Sequence, residues 1–349
     1  MKEGYRLLGD FIQPVDERNR DLRVDYLLGV SISKQFIPSI ANIVGTDLSN
    51  YKIIRTGQFA YGPVTSRNGE KISIALLRDK DCIISSSYTV FEVVNKNELD
   101  PEYLMLWFSR PEFDRYARYM SHGSVREIFD WDELCKVELP VPSIDKQRSI
   151  VRAYQTITER IELKRRLNDN LEAVLAASHS KMFFSKDTSE HSKLGELMTF
   201  GNGKSRPKTD GPIPVYGGNG VLSYTDHHNI ENAVLIGRVG AYCGSVYLEQ
   251  GICWVSDNAI FAKSKITKDE FFDYFLLKRL NLFNHHVGTG QQLLTQEILN
   301  NIEVPKPVTE QIELFNRKAT SIFETIFTNS REIIRLQELS DLLLSRLAG

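Results

Sequence analysis

The chain has 349 residues, which is too long for one typical hydrophobic core and fits about two or three domains, with two as our working number. Hydrophobic residues make up 42% of the chain and charged residues 25%, a balance that argues against a disordered or fibrous protein. The net charge of −2 argues against a protein that coats nucleic acid through bulk positive charge, but it leaves room for a basic surface on one face.

The sequence carries no sign of export or of membrane insertion. Its apolar stretches, such as residues 104–108, fall far short of the roughly 20 residues needed to cross a bilayer, and residues 1–6 lack a signal-peptide core. We therefore expect a cytoplasmic protein without membrane contacts. The cysteines Cys82, Cys135, Cys243 and Cys253 form no CxxC pair, so we expect reduced thiols with packing roles.

Residues 1–142 are predicted to form a first domain that mixes strands and a helix. Residues 53–55, 72–77 and 82–84 indicate strands, and residues 101–119 indicate a helix that is interrupted near Arg110-Pro111. Its loops carry cations, amides and hydroxyls, which are the groups that contact DNA phosphates and base edges. The candidate DNA contacts in this domain are Lys34, Gln35, Arg55, Gln58, Tyr61, Arg67, Asn68, Lys71, Tyr88, Ser124 and Arg126.

Residues 143–186 are predicted to form a first long helix. Seam residues recur there at alternating spacings of four and three, which is typical of a helix that pairs with another helix along its length. The apolar seam residues are Ile150, Tyr154, Ile157, Ile161, Leu171 and Leu175. The polar residues Lys164 and Asn168 interrupt the seam near its middle.

Residues 187–307 are predicted to form a second mixed domain, which is shorter and richer in glycine. Strands are indicated at 233–236 and 259–262, a helix at 268–280, and turns at 201–203 and 217–220. The candidate DNA contacts in this domain are Lys204, Arg206, Lys208, Tyr216, Asn219, Tyr224, Arg238, Thr289, Gln291 and Gln292.

Residues 308–349 are predicted to form a second long helix. Its apolar seam residues are Phe315, Ile322, Ile326, Ile333, Leu336 and Leu343. An isolated apolar stripe is usually an amphipathic helix lying on its own domain, but two stripes of equal length favour helices that pack on each other. Antiparallel pairing would bring Lys164, Asn168 and Asn329 close together, where polar residues can fix the register.

The two halves of the chain repeat each other. Residues 123–134 align with residues 288–299 without a gap, the following Pro-x-Pro segments align as well, and Gln147 then meets Gln311 after one residue of slippage. A shorter similarity relates residues 8–11 to residues 194–197. The sequence therefore predicts an α+β protein with a pseudo-twofold internal repeat, in which two domains are separated by a long antiparallel two-helix coiled coil.

The predicted helix length has a functional implication. A helix of roughly 35 residues is about 50 Å long, which is comparable to one to two turns of DNA. Two similar domains held that far apart suit a split DNA site with an unread spacer.

We find no complete catalytic motif in the sequence. Residues 203–205 resemble the end of a P-loop, but Met198 stands where that motif needs a glycine, and Pro207 follows at once. The histidine pairs and the cysteines match no zinc-ligand spacing. We also find no nucleophile elbow, methyltransferase tetrapeptide or helicase motif. We therefore expect that any chemistry belongs to partner proteins.

The chain resembles the specificity subunits of type I restriction-modification systems over nearly its whole length. The most specific signals are two proline-bearing segments that lead through a glutamine into a long helix, at residues 139–147 and 304–311. Residues 84–91 resemble one class of target-recognition domain, and residues 214–220 with 256–259 resemble another. Because the two domains differ, the resemblance implies two different half-sites.

The resemblance implies a non-catalytic subunit that binds double-stranded DNA at a bipartite site, with one half-site for each target-recognition domain. Its helices would recruit two modification subunits, which methylate adenine with S-adenosylmethionine. Restriction subunits would then join and use ATP and Mg to translocate and cut DNA. The specificity subunit itself would bind none of these cofactors.

Two other functions stay open as alternatives. A scaffold or adaptor would use the coiled coil to bind protein and its domains to bind something other than DNA. Specific duplex binding that weakens steeply with salt would separate a DNA reader from that scaffold. A nuclease or methyltransferase acting alone is disfavoured by the missing motifs, and methyl transfer by the purified chain would reinstate it.

Overall fold

A computed structural model describes residues 4–39, 45–66, 68–123, 126–185, 190–288, 290 and 292–348. The chain divides into two units, the first comprising residues 1–163 and 333–349 and the second residues 164–332. Each unit contains one part of each of two long helices and one globular part outside those helices, which we call the head. The boundaries of the units therefore fall inside the long helices, whereas the predicted domain boundaries fall between helix and head.

The first unit begins with a head of short strands followed by helices. Its strands are β1 (Tyr5–Leu7), β2 (Ile12–Val15), β3 (Leu28–Val30), β4 (Phe36–Pro38), β5 (Lys52–Ile54), β6 (Phe59–Tyr61), β7 (Ile74–Leu76), β8 (Cys82–Ile84), β9 (Thr89–Val93) and β10 (Glu138–Pro140). Its helices are α1 (Pro101–Phe108), α2 (Pro111–Tyr119) and α3 (Trp131–Cys135), after which the long helix α4 (Ile144–Phe183) begins. The three predicted strands match β5, β7 and β8 within two residues. The predicted helix is interrupted as expected, because Pro111 starts a new helix.

The second unit has longer strands and a larger sheet. Its strands are β11 (His191–Lys193), β12 (Met198–Asn202), β13 (Ile213–Gly217), β14 (Gly220–Thr225), β15 (Ile230–Gly237), β16 (Val246–Val255), β17 (Ala259–Ser264) and β18 (Glu303–Pro305). Its helices are α5 (Leu194–Leu197), α6 (Phe271–Arg279) and α7 (Gln296–Asn301), and the long helix α8 (Thr309–Ser345) follows β18. The predicted turn at 217–220 is confirmed as the turn of the β13–β14 hairpin.

The turn predicted at residues 201–203 is wrong. Gly201 and Asn202 belong to β12 and pair with Phe261 and Ile260 of β17. A Cβ atom at Gly201 would collide with the Phe261 ring, and one at Gly203 would collide with the backbone of Ser256. Glycine is present here because neighbouring groups approach the backbone closely, which is a common reason for glycine in a strand.

Both heads are built on the same four-stranded antiparallel frame. The strand order is β2-β9-β6-β7 in the first head and β12-β17-β15-β16 in the second. In the second head β13 pairs parallel with β16, so the β13–β14 hairpin extends the sheet to six strands. The shared frame is the structural form of the internal repeat, and it confirms the predicted mixed α+β architecture.

A short antiparallel strand pair closes each head, joining β1 to β10 in the first and β11 to β18 in the second. The glycine after each first strand lies against a later helix. A Cβ atom at Gly9 would stand 2.9 Å from Cys135 Cβ, and one at Gly195 would stand 2.5 Å from Asn300 Oδ1. This close packing explains the similarity between residues 8–11 and 194–197, because a side chain larger than glycine would force this segment away from the later helix.

The long helices complete the hydrophobic core of each unit. In the first unit, Val151 of α4, Leu344 of α8 and Leu347, which lies just beyond the end of α8, belong to the same buried cluster as the core of the head. In the second unit, Leu175 of α4 and Phe315 of α8 do the same. All twelve apolar seam residues predicted from the sequence are buried or half-buried.

A polar network crosses the helix pair within the second unit. Lys164 Nζ donates to Asn329 Oδ1 at 2.9 Å, and Asn329 Nδ2 donates to Asn168 Oδ1 at 2.8 Å. Lys164 also pairs with Glu332 at 2.7 Å, whereas Asn168 donates to the carbonyl of Ile326. Moving forward along α4 therefore means moving backward along α8, which confirms antiparallel pairing and the predicted proximity of the three polar residues.

A buried amide on each long helix holds the segment that leads into one helix of its head, α1 in the first head and α6 in the second. Gln147 of α4 is fully buried; it accepts from the backbone N–H of Asp100 and donates to the carbonyl oxygens of Glu98 and Pro142, each at 2.8 Å. The sequence alignment assigned Gln311 as its counterpart, but Gln311 is exposed.

The structural counterpart of Gln147 is Asn316, about one turn further along α8 and 2% exposed. Asn316 accepts from the backbone N–H of Phe272 at 2.9 Å. It donates to Thr267 Oγ1 at 2.9 Å and to the Asp269 carbonyl at 3.0 Å. Since no side chain of α6 itself caps that helix, Asn316 satisfies one of its free N-terminal N–H groups from another element.

Three of the four cysteines, Cys82, Cys243 and Cys253, are buried, and all four are free thiols. Burial raises the pKa of Cys82 and of Cys253 to about 12, so neither is an activated nucleophile. Among the described helices, none is both long and apolar enough to span a bilayer.

Candidate functional site

The repeated segment of the sequence lies beside the end of an equivalent central strand in both heads. In the first head, Val64 and His122 each form a bridge with Ile128, and Phe129 N–H donates to the Pro63 carbonyl at 2.9 Å. We call the described residues of 62–68 and 122–129 the first junction.

The second head repeats this arrangement after strand β15. Val239 and Val287 each form a bridge with Leu293, and Leu294 N–H donates to the Arg238 carbonyl at 2.9 Å. We call the described residues of 237–240 and 287–294 the second junction. The sequence repeat aligns Ile128 with Leu293, so the bridges of the two junctions fall at equivalent positions of the repeated segment.

Glycines make both junctions sterically feasible. Gly123 and Gly288 have φ angles of +138° and +95°, a backbone region that favours glycine. Gly62 follows β6 and Gly237 ends β15. A Cβ atom at Gly62 would stand 2.7 Å from Ser73 Oγ, and one at Gly237 would collide with the Tyr242 carbonyl. The repeated glycines are therefore explained by the backbone of the junctions.

Three loops of the second head converge on its junction. The position of a Cβ atom at Gly237 lies 2.5 Å from Ser245 Oγ and 2.8 Å from the Gly218 carbonyl, so the turn of the β13–β14 hairpin and the loop after β15 meet there. The loop before β17 joins them, because Arg238 N–H donates to the Asn258 carbonyl at 3.0 Å.

The side chains on these loops are mostly polar and accessible. Asn219, Asp257 and Asn258 are exposed, Tyr242 is 51% exposed, and Arg238 and Gln292 are half-buried. We call this set of six residues the junction surface: Asn219, Arg238, Tyr242, Asp257, Asn258 and Gln292. Amides, a guanidinium, a carboxylate and a hydroxyl are the groups that can match base edges in the major groove. The sequence analysis selected Asn219, Arg238 and Gln292 of this set, whereas it missed Tyr242, Asp257 and Asn258.

A second group of predicted residues lies at the other end of the β13–β14 hairpin. Arg206, Lys208 and Tyr224 line a shallow cavity of about 300 Å³, and all three side chains are exposed. Lys204 is exposed as well, and its backbone forms a bridge with Ser256. Arg206 and Lys208 lie at the open end of the hairpin, away from the junction surface at its turn, which is a suitable position for contacts to a phosphate backbone.

Tyr216 is not available at either place. It is half-buried on β13, and its hydroxyl donates to Glu249 at 2.9 Å. Burial raises the pKa of both Tyr216 and Glu249. The pair stabilises the inside of the sheet, so the structure gives Tyr216 an internal role in place of the predicted DNA contact. Thr289 and Gln291, also predicted contacts, lie outside the described residues.

The first head exposes fewer of its predicted contacts. Gln35, Lys71 and Arg126 are exposed, and Asn68 and Tyr88 are half-buried. Asn68 and Arg126 lie at the first junction, where Asn68 N–H donates to the Thr65 carbonyl at 3.0 Å. Arg67 and Ser124 lie outside the described residues.

Tyr61 and Gln58 belong to the interior of the first head. Tyr61 lies on β6 with no exposed surface, against Phe91 and Phe129, and burial raises the pKa of its hydroxyl. Gln58 is 8% exposed; it accepts from Arg55 N–H and donates to Glu92. Direct contact of either side chain with DNA would require the head to open, so the structure argues against both predicted contacts.

Lys34 and Arg55 are engaged in ion pairs within the first head. Lys34 Nζ lies 2.6 Å from Asp114, with both side chains nearly buried, and burial lowers the pKa of the lysine. Arg55 pairs with Glu17 and, at 2.7 Å, with Asp81; hydrogen bonds to Glu17 and then to Asp81 raise its pKa. These partners lie far away in the sequence, which is why the sequence analysis took both cations as free.

The described residues form a two-headed α+β protein in which each head carries the same strand frame and junction and is followed by a long helix. A family model for the type I restriction modification DNA specificity domain matches the chain twice, at residues 33–173 and 186–342. The chain belongs to this family.

Two relatives and two solved structures agree with this assignment. The type I restriction enzyme MjaIX specificity subunit of Methanocaldococcus jannaschii is 20% identical over 305 residues, covering 73% of this chain and 70% of the relative. A putative type I restriction enzyme MjaX specificity subunit of the same organism is 20% identical over 341 residues, covering 84% and 77%.

The crystal structure of a type I S subunit from M. genitalium matches this fold with a TM-score of 0.64 at 16% identity, covering 99% of this chain and 96% of that one. A chain from a structure of type I restriction-modification complex assembly and conformational transition matches with a TM-score of 0.50 at 17% identity, covering 99% and 98%. At these identities the two matches establish the shared fold.

Proposed function

We propose that the chain is the DNA-reading subunit of a type I restriction-modification complex and that each head reads one half of a bipartite target. The observation that carries this proposal is the pair of equivalent junctions, each with different accessible side chains. Arg126 and Asn68 lie at the first junction, whereas the second junction presents Arg238 and Gln292. Two equivalent frames with different side chains suit two half-sites of different sequence.

The exposed cations of the second head fit a complementary role. Lys204, Arg206 and Lys208 would contact phosphates and orient the head, while the junction surface would contact base edges. Because these contacts involve only local positive charge, they are compatible with a chain whose net charge is −2.

We propose that the long helices bind the partner subunits of the complex. Leu167 and Val174 of α4 are 46% and 59% exposed, at a spacing of seven residues, and therefore lie on a face of the helix outside the seam. Exposed apolar side chains in such an arrangement are typical of protein contacts. Two modification subunits would dock on the helices and methylate adenine, and restriction subunits would join them.

In this proposal the chain performs no catalysis and binds no cofactor. S-adenosylmethionine would be used by the modification subunits, and ATP and Mg by the restriction subunits. The complex would act in the cytoplasm on double-stranded DNA.

Methylation sequencing tests the proposed function. DNA from cells that express the chain with its neighbouring modification subunit should carry a split, adenine-methylated motif, and DNA from cells that lack only this chain should not. An unchanged methylation pattern, in the presence of a competent modification subunit, would contradict the proposal and favour the scaffold function.

The helix pair should set the length of the unread spacer. Seven residues can be inserted into α4 and seven into α8, facing each other on the same side of the Lys164–Asn329 contact. These insertions preserve the phase of the seam and lengthen each helix by about 10 Å. We expect methylation sequencing to show a spacer longer by about three base pairs, with both half-sites unchanged. A lengthened helix pair that kept the original spacer would show that something other than the helices sets the distance.

A further inference from the structure

We propose that Arg238 reads a guanine in the half-site bound by the second head. This inference rests on the proposed function and adds to it a residue and a base. It follows from the position of Arg238 at the second junction, from its lack of an internal partner, and from the residue that occupies the equivalent position in the first head.

Arg238 differs from other half-buried cations of the chain in having no internal partner. Lys34 pairs with Asp114 and Lys263 pairs with Glu270, at 2.6 and 2.9 Å. Among the described residues, no carboxylate or hydrogen-bond acceptor contacts the Arg238 guanidinium, and its Nε atom is buried without a partner. A buried N–H group without an acceptor is unfavourable, so a ligand that supplies acceptors beside this guanidinium would relieve that penalty.

The backbone of Arg238 is fixed on both sides. Its N–H donates to the Asn258 carbonyl at 3.0 Å, and its carbonyl accepts from Leu294 N–H at 2.9 Å. The preceding Gly237 is packed between two loops. The side chain therefore starts from a rigid point in the centre of the junction surface, so ordering it on a ligand costs less conformational entropy than ordering a side chain on a free loop.

The chemistry of the group selects the base. A guanidinium presents two parallel donors, which match the O6 and N7 acceptors of guanine in the major groove. The neighbouring amides of Asn219, Asn258 and Gln292 can both donate and accept, which is the pattern that adenine requires. Phosphate contact is the main alternative for any arginine, but the exposed loop of Arg206 and Lys208 is better placed for that role.

The first head lacks an equivalent arginine. Its junction has Pro63 at the position of Arg238, since Phe129 N–H donates to the Pro63 carbonyl as Leu294 N–H donates to the Arg238 carbonyl. Proline offers neither a side-chain donor nor a backbone N–H. The proposed contact therefore belongs to one half-site only, which makes the other half-site an internal control.

Selection from a pool of duplexes with randomised half-sites, using the full chain, tests the assignment. The wild-type chain should select guanine at one position of one half-site, and other bases there should bind about 5- to 150-fold more weakly, as expected for one bidentate contact. R238K keeps the positive charge but loses the planar pair of parallel donors, and R238A removes both. In R238A the discrimination against other bases at that single position should disappear, and in R238K it should be reduced but not abolished, because lysine can still donate to guanine. The other half-site should be selected as before.

Retained selection at the remaining positions of the same half-site shows that the second head of each variant is folded. Arg206→Ala is the matched control: it should weaken binding to all sequences equally and leave the selected bases unchanged. The inference is overturned if R238K and R238A weaken all sequences equally, or if the position that loses discrimination selects a base other than guanine in the wild type. A wild-type chain that selects no bipartite motif would instead refute the proposed function.

Discussion

Replacing Asn316 by alanine should destabilise the second unit by about 3 kcal/mol, because the change leaves the buried N–H of Phe272 without an acceptor and opens a small cavity. Thr267 Oγ1 and the Asp269 carbonyl lose their donor as well. Thermal unfolding should detect a fall of about 6–12 °C in the melting temperature of this unit.

Two further variants separate the causes of that loss. N316L fills most of the volume but makes no hydrogen bond, and it should be about as unstable as N316A. Gln311→Ala, at the position that the sequence alignment pairs with Gln147, should change stability by no more than about 0.5 kcal/mol, because Gln311 is exposed. If Gln311→Ala were the more damaging change, Asn316 would not be the counterpart of Gln147.

The buried carboxyl of Asp273 should make the second unit less stable as pH rises. Asp273 of α6 is 1% exposed, and neither of its carboxylate oxygens has a hydrogen-bond partner among the described residues. Burial, and then the neighbouring Glu270, raise the pKa of Asp273 well above its ordinary value. Burial also raises the pKa of Glu270, although Lys263 lies 2.9 Å away. The folded state therefore holds a proton that the unfolded chain would release.

The direction of the pH effect follows from that difference. Below the ordinary carboxyl pKa, Asp273 is protonated in both states and its full contribution to stability is present. As pH rises through the raised pKa of the folded state that contribution is lost, at about 1.4 kcal/mol for each unit of pKa difference. Burial lowers the pKa of His179 in the same unit to about 3, and this group has the opposite effect, because its contribution is lost as pH falls. The contribution of Asp273 is therefore measured as the difference in unfolding temperature between the wild type and a variant that cannot ionise at position 273, from about pH 4 to about pH 8.

Asp273→Asn tests this interpretation. The variant cannot ionise at this position, so its melting temperature should rise relative to that of the wild type as pH rises and should exceed it at the upper end of the range. Asp257→Asn, which changes an exposed carboxylate of the same unit, should keep the wild-type pH profile. Parallel profiles for wild type and Asp273→Asn would show that the buried carboxyl does not control the pH dependence.

The fold was largely predictable because its main signals are local and periodic. A seam of alternating three- and four-residue spacings depends only on helix geometry, so the predicted residues from Ile150 to Leu343 all lie in buried or half-buried positions. The repeat was equally clear, because the backbone of each junction needs a glycine, at Gly123 and at Gly288. Strands β5, β7 and β8 were detectable as short apolar runs.

The site was less predictable because exposure and pairing depend on distant residues. Tyr61 has the chemistry of a base contact, but all three residues of β6 are buried, and no alternation in the sequence distinguishes an inner from an outer face. The ion pair of Lys34 is formed with a residue 80 positions away. Arg238 was selected by type alone, and its central position became apparent only from the backbone hydrogen bonds of the junction.

The chain segments that form the two units determine the order in which the units can complete their folding on the ribosome. Residues 164–332 are continuous in the chain, so the second unit can acquire its core as soon as α8 has emerged to that point. The first unit needs Leu344 and Leu347 to cover its core, although its own head is synthesised first. The first head is therefore synthesised first, but its core is completed last. Until translation reaches those leucines, the nascent chain exposes an apolar surface that chaperones can bind.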